Sequence, residues 1–462
     1  MATDTQTSDA VGRIVELEIT NVAHGGIFIA RMDGRVVFVS DTAPGEVVRA
    51  RISEDSHERF LRAETMEVLR ASPHRVPHIW EEASIDRAPG ERAGGAEFGH
   101  LALSYQRELK SEVLRDNLRR MAGLDQSVAV RAPEGESADG AGWRTRVRLH
   151  VSEAGAVGPF ASRSHRVIPV SSLPLAIREV EAAAPLAAQL TTPLTPRLPV
   201  GSILDVLAPS LGDPITLFTP EASHDGGSGR RGADRTANAR SGRSGRRSAR
   251  RPAVPERTPG LNPQTIREKV GDRHFSVDAR GFWQVHRLAP ETLTLAVQEL
   301  VDDSLLDPRA GNLDLYGGVG LLAAALGDKA GPALKITTVE SDALATDHAA
   351  ANLAEWIGSA ALTDRVDRYL QGLLRNASAA ERSRIAAGTV VLDPPRSGAG
   401  RVVVDALAEL RPAQLVYVAC DPVALARDAG LLAGHGYELQ DLRAYDLFPH
   451  THHLEAVARF TR

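Results

Sequence analysis

Residues 312–326 read NLDLYGGVGLLAAAL. A short apolar run meets a turn built on Gly317, Gly318 and Gly320, and an Ala/Leu run follows. This is the pattern of a strand, a tight turn and a buried helix. The alternation continues with ALKITTVE then SDALATDHAAANLAEW, GTVVLDPP then ALAEL, and QLVYVAC. Strands alternating with helices predict a doubly wound parallel sheet, here over 266–462. Ligands of such a sheet sit at the C-terminal ends of its strands.

The residues at those strand ends carry chemistry. Glu340 closes the ALKITTVE strand, 20 residues after Gly320. An acid there can accept hydrogen bonds from both ribose hydroxyls of a nucleoside-containing cofactor. Tight strand–helix packing is the plainer explanation of the glycines. VVLDPPRSG, 390–398, ends an apolar strand on Asp393 and two prolines. The prolines stiffen the exit and can hold Asp393 and Arg396 towards a planar ligand. A capping Asp beside a structural Arg remains the alternative.

Cys420 ends the next strand, 27 residues on, and is the chain's one cysteine. A lone cysteine is usually a small buried hydrophobe. At a strand's C-terminal end it can also serve as a nucleophile if a base or charge activates it. FPHTHHLEAVARF, 448–460, places Glu455 in an apolar β-like run after a histidine cluster. Apolar surroundings raise a carboxyl pKa, which suits proton transfer; a salt-bridged acid is the alternative. His450, His452 and His453 have no cysteine or carboxylate pattern beside them, so no metal is expected.

Upstream, residues 11–70 read as short strands. Gly25-Gly26, Asp33-Gly34 and Pro44-Gly45 break them at hairpin spacing, predicting a small antiparallel barrel. A helix is expected over 101–121, from Leu101, Tyr105, Leu109, Val113 and Leu118. WRTRVRLHV, GSILDVL and ITLFTP make 143–220 strand-rich. Three units are expected: 10–70, 71–265 and 266–462.

The 462 residues carry a net charge of -5. Residues 230–257 hold ten arginines and two acids, about +8, which leaves about -13 elsewhere. Any nucleic-acid binding therefore rests on local patches. The Gly/Ser/Arg tract 224–260 has no apolar anchor and is expected to be disordered, as an electrostatic RNA tether or a tolerated insertion. Deleting it should leave the thermal melt unchanged and weaken RNA binding at low salt; a large drop in melting temperature would overturn this. The polar N-terminus and the absence of a long apolar run suggest a cytoplasmic protein with no membrane association. One cysteine excludes a disulfide framework and any cysteine-rich cluster.

Together these segments resemble the S-adenosylmethionine-dependent RNA uracil-5-methyltransferases, the bacterial 23S rRNA and tRNA 5-methyluridine enzymes. Residues 11–70, with PGE at 44–46, resemble the RNA-binding TRAM domain. GFWQVH (281–286) resembles FxQVN, LDLYGGVG (313–320) resembles LDLYCGVG, and LDPPRSG carries the family's DPPR. VYVACDPVALARD resembles VYVSCNPxTLARD, and FPHTHHLE resembles FPxTxHVE.

The resemblance implies methyl transfer to C5 of a uridine in RNA, with 23S rRNA favoured over tRNA because of the TRAM-like barrel. It implies Cys420 as nucleophile, Glu455 as base, and Asp393 and Arg396 holding the uracil. It implies S-adenosylmethionine held by Gln284, Asp314, Tyr316, Gly318, Gly320, Glu340 and Asp393. Phe282 is a stacking candidate, and Trp283 is one for stacking or core. A monomer is expected.

Some positions depart from the family pattern. Ala93 and Ala96 stand where many members have the cysteines of an iron–sulfur cluster, so no cluster is expected. Ala419, Asp421 and Ala424 replace hydroxyl or amide residues around the nucleophile, Gly317 replaces a frequent Cys, and His286 a usual Asn. RNA cytosine-5-methyltransferases use two cysteines, which a single-cysteine chain cannot supply. DNA cytosine methylation would want Pro-Cys and Glu-Asn-Val stretches, which are missing. The rival of another class is a catalytically idle RNA-binding protein with this fold.

Overall fold

The computed structural model describes residues 10–186, 199–220 and 264–462. The 224–260 tract lies outside them.

Strands β1 (Ile14–Ala23), β2 (Ile27–Met32), β3 (Arg35–Ser40), β4 (Val47–His57) and β5 (Phe60–Arg70) close a barrel in the order β1-β2-β3-β5-β4. Two hairpin turns, at Gly25-Gly26 and Asp33-Gly34, fall where the glycines predict. Pro44-Gly45 instead joins β3 to β4, which do not pair, and the β4–β5 hairpin turns at Glu58-Arg59 without glycine. β3 pairs β5 in parallel, so the barrel expected to be antiparallel is closed by one parallel pair. Asp33 and Gly34 both take positive φ, 51° and 78°, the twist that joins two right-twisted strands in two residues. Alternate residues, among them Leu17, Ile19, Phe28, Val37, Val39, Val48 and Ile52, fill the barrel interior.

Helix α1 (Leu103–Asn117) runs on as a π-helical turn to Ala122, and Gly123 ends it with φ 69°. Its apolar positions divide between two partners. Leu109, with Tyr105 and Val113, packs on the barrel core, while Leu114 and Leu118 join the core of the large sheet. The helix is thus a strut between the two.

β6 (Val130–Arg131) follows. Then β7 (Arg146–Val151), β8 (Val157–Gly158), α2 (Arg178–Ala183), β9 (Ile203–Leu207) and β10 (Ile215–Thr219) build an antiparallel sheet ordered β10-β9-β7-β8. A hairpin of β11 (Thr265–Val270) and β12 (Arg273–Asp278) leads into α3 (Ala289–Leu300).

The doubly wound region follows as β13 (Asn312–Leu315), α4 (Leu321–Ala330), β14 (Lys335–Glu340), α5 (Ala343–Asn352), β15 (Gly358–Thr363), α6 (Val366–Asn376), α7 (Ala379–Ala386), β16 (Thr389–Leu392), α8 (Gly400–Leu410), β17 (Gln414–Ala419), α9 (Pro422–Gly434), β18 (Glu438–Tyr445) and β19 (Glu455–Thr461). Eight strands form one sheet in the order β15-β14-β13-β16-β17-β19-β18-β6. The first five are mutually parallel, and β19 enters antiparallel between β17 and β18. Sequence rhythm places this unit after residue 266, yet β6 pairs with β18 at its edge.

Both faces of the central strands are buried, which is why they read as unbroken apolar runs. In β16 and β17, Val390, Leu392, Leu415 and Tyr417 face one layer with α6, α8 and α9. Val391, Val416 and Val418 face the other, with α3 and α4.

Candidate active site

Strand order reverses between β13 and β16, so the crevice at their C-terminal ends is the ligand position of a doubly wound sheet. Leu315 pairs with Leu392, so Tyr316 and Asp393 leave the sheet side by side. The Asp393 N–H donates to the Leu315 carbonyl at 3.2 Å. One strand over, Ala419 of β17 pairs antiparallel with Ala456 of β19. The next positions in that register are Cys420 and Glu455, so the end of one strand faces the start of the other.

The crevice is a cavity of about 1090 Å³. Gln284, Tyr316, Gly318, Glu340, Asp393, Arg396, Cys420 and Glu455 all line it. Two sequence candidates do not. Gly320 caps α4 with φ 90°, and a Cβ there would lie 3.1 Å from Leu353. Asp314 is fully buried beneath the glycine turn. A Cβ on Gly317 would sit 2.4 Å from Asp314 Oδ2 and 2.3 Å from Thr338 Cγ2, so the turn as folded excludes a side chain there. Phe282 lines the cavity and is 71% exposed, free to meet a base, whereas Trp283 packs into the core against Phe275.

Glu340 ties the turn to the next loop. Its Oε2 accepts from Gly318 N–H at 3.2 Å and its Oε1 from Asp342 N–H at 2.8 Å. Gly318 takes φ 54° with open space where a Cβ would be, so a ligand can approach its backbone closely. Tyr316, a non-glycine at φ 62°, keeps a left-handed conformation beside it.

These features fit S-adenosylmethionine. The glycine turn admits the backbone approach, and Glu340 suits a ribose diol. Asp342 and Asp364 line the same cavity, where Asp367 is already paired with Arg365, leaving an acidic balance that suits a cationic cofactor. Sequence reading missed that acidic wall beyond Glu340, because isolated aspartates after a strand carry no motif.

Asp314 bears the electrostatic cost of this floor. Its Oδ1 has no hydrogen-bond partner among the described residues. Burial, then the charges of Asp393 and Glu340, push its carboxyl up to about 7. An acid raised on folding is more protonated in the native state, so its stabilising contribution fades as pH rises through about 7. Buried His78, His100 and His286, pushed down to about 4 chiefly by burial, act in the opposite sense at acid pH. The difference between Asp314→Asn and wild type isolates the carboxyl. The variant should gain stability relative to wild type between about pH 5 and pH 8, by on the order of 2 kcal/mol. Urea melts at both pH values read this; a difference independent of pH would refute it.

The Cys420 end of the cavity shifts its titratable groups as strongly. Burial, then the charges of Glu455 and Asp393, push the Cys420 thiol up to about 12, with Arg396 opposing. Burial raises Asp393 to about 7. Burial and the Asp393 charge also raise Glu455 well above the carboxylate range. Glu455 is 5% exposed and its Oε2 has no partner among the described residues, a buried polar atom left for a ligand. Arg396 donates to His453 Nε2 at 3.2 Å. Burial, then neighbouring His452 and Arg396, hold His453 down at about 3, so it accepts that bond as a neutral ring.

The loop before Glu455 is pinned by α1. Gln106 Oε1 accepts from His450 N–H at 2.8 Å, and buried Lys110 donates to the Phe448 carbonyl at 3.0 Å and to Asp446. Arg144, Glu97, Phe448, Thr451 and His453 also line the cavity. Phe448, Thr451 and His453 belong to the FPHTHHLE stretch already singled out, whereas Arg144 and Glu97, both before β7, were not among the candidates.

Ala93 and Ala96 are buried in the same apolar cluster as Trp80 and Trp143. Among the described residues no group of three His, Cys, Asp or Glu side chains is placed to hold a metal. None of their helices is long and apolar enough to cross a membrane.

Fold and crevice together define a Rossmann-like methyltransferase unit joined to a small β-barrel. Residues 9–66 match the TRAM domain family, and residues 368–462 match the tRNA (Uracil-5-)-methyltransferase family. The chain is 37% identical to an uncharacterized RNA methyltransferase of Streptomyces avermitilis, over 97% of this chain and 98% of the relative. It is 30% identical to the 23S rRNA (uracil(1939)-C(5))-methyltransferase RlmD of Methylococcus capsulatus, over 97% of each. Its fold is similar to that of the Pyrococcus abyssi tRNA (uracil-54, C5)-methyltransferase solved with S-adenosyl-L-homocysteine. There the TM-score is 0.63 and the identity 20%, over 96% of this chain and 99% of that one. The chain belongs to the S-adenosylmethionine-dependent RNA uracil-5-methyltransferase family.

Proposed function

We propose that this enzyme methylates C5 of a uridine in 23S rRNA through a covalent adduct between Cys420 and C6 of the base. The observation that carries the reading is the register that sets Cys420 opposite Glu455 in a cavity shared with Asp393 and Arg396. The choice of 23S rRNA rests on the barrel and on the likeness to the Methylococcus enzyme.

C5 of uracil is a weak nucleophile. The Cys420 thiol loses its proton to water in the open cavity and the thiolate bonds to C6. The C5=C6 electron pair moves into an enolate on the carbonyl at C4. Arg396 offsets that charge, and Asp393, its carboxyl raised to about 7 by burial, holds the base edge as a neutral donor. Gln284, Tyr316, Gly318 and Glu340, supported by buried Asp314 and the Gly320 cap, would hold S-adenosylmethionine, which would supply an electrophilic methyl group for C5 and depart as S-adenosylhomocysteine. Glu455 then takes the C5 proton, the double bond re-forms, and Cys420 leaves as thiolate. Glu455 acts here from its ionised form, and once ionised its raised proton affinity makes it a stronger base than an exposed carboxylate. A target base must leave its stack, which favours an unpaired uridine.

The test is to incubate the protein with S-adenosylmethionine and, separately, unmodified 23S rRNA and tRNA transcripts, then quantify 5-methyluridine by mass spectrometry. 5-Methyluridine in the 23S transcript alone supports the whole reading. Product in tRNA alone overturns the substrate assignment. No product in either, from folded cofactor-binding protein, favours the idle RNA-binding alternative.

A further inference from the structure

The β1–β2 turn of the barrel abuts, at two places, residues adjoining those that line the cavity. His24 Nε2 lies 3.4 Å from Asp421 Oδ2. Asp421 directly follows Cys420 and caps α9, its Oδ1 accepting from Ala424 N–H at 2.8 Å. One carboxylate oxygen therefore serves the helix and the other meets the barrel. Gly26 makes the second contact. Its φ is 70°, and a Cβ there would stand 3.0 Å from His452 Cβ and 3.1 Å from Glu97 Cβ. His452 packs on His453 with ring centroids 3.9 Å apart, and His453 accepts the Arg396 hydrogen bond. A single turn thus abuts the cap of the nucleophile's helix and the loop that leads to Glu455.

We propose that the His24–Gly26 turn is a positioning element of the reaction: by holding Asp421 and His452 it sets the Cys420 thiol and the Arg396–His453 pair, so the barrel completes the active site. This deepens the reading above and rests on Cys420 being the nucleophile. The physical ground is charge and close packing. The Asp421 carboxylate adds to the influences that keep the thiol protonated. The His24 ring, 3.4 Å away, is within reach to turn an N–H towards that carboxylate and draw on its charge, so without His24 the thiolate would form less readily. Gly26 acts through space, because any side chain there displaces His452 and with it His453.

The single cysteine makes the test direct, since iodoacetamide alkylation of the full-length, RNA-free protein can report Cys420 alone. At about pH 8.5, His24→Ala should slow alkylation about three-fold. His24→Gln, which keeps a neutral donor, should restore the rate. Gly26→Ala should lower the single-turnover rate of 5-methyluridine formation about ten-fold at saturating RNA. RNA affinity should stay within about two-fold for each variant. Thermal melts establish that the variants are folded.

Unchanged alkylation and turnover in folded variants would overturn the proposal. So would a loss of RNA affinity alone, which would make the turn an RNA contact. If wild type forms no 5-methyluridine but His24→Ala still slows alkylation, the functional reading fails and the positioning of the thiol stands.

Discussion

Cys420→Ala is expected to abolish 5-methyluridine formation, by at least ~10⁴-fold, while leaving folding and cofactor binding in place. The thiol is the chain's sole sulfur nucleophile, and no other side chain can take its place at C6. Its removal costs little structurally. Cys420 is only partly buried at the end of β17 and its side chain lines the cavity rather than filling the core. The measurement is mass-spectrometric 5-methyluridine after single turnover, beside a thermal melt and S-adenosylmethionine binding by calorimetry. Residual turnover within ten-fold of wild type would exclude the covalent route.

Glu455→Gln should behave differently, and the contrast separates the two roles. The amide keeps the shape but cannot accept the C5 proton. Turnover should fall by ~10²–10⁴-fold. The thiolate can still attack and C5 can still be methylated, so a protein–RNA adduct that survives denaturing electrophoresis should accumulate. Wild type should show it only transiently. The variant should fold at least as well as wild type, because a buried carboxyl is replaced by a neutral group. Loss of turnover with no adduct, in protein that still binds RNA, would place Glu455 before C6 attack and overturn its role as the C5 base.

The barrel hairpins, the parallel strands and the glycine turn were legible in the sequence because each depends on local features. Asp33-Gly34 dictates its own turn, and unbroken apolar runs dictate strands buried on both faces. That Asp393, Cys420 and Glu455 line one cavity with Arg396 was likewise suggested by the sequence, since the first three flank strand ends and Arg396 follows Asp393 in a short motif. Trp283 could not be settled that way, because an aromatic beside a cavity and one in a core share the same local pattern. The tertiary structure packs it, partly buried, against the core, where it also lines a small side pocket, and leaves Phe282 exposed at the main cavity.

By itself, then, the sequence determined the sheet class, the glycine turn with its distal acid, the barrel, and the identity of the residues at the strand ends. These follow from periodicity, turn chemistry and side-chain type, all of which act over a few residues. Only the tertiary structure decided which of those residues meet. Cys420 faces Glu455 because β19 enters antiparallel beside β17 in a register set by cross-strand hydrogen bonds and two buried faces. Gln106 grips His450 across 344 residues of chain, and His24 reaches Asp421 from the far end of the sequence. Contacts of that separation come from how layers pack, and packing has no period in the chain.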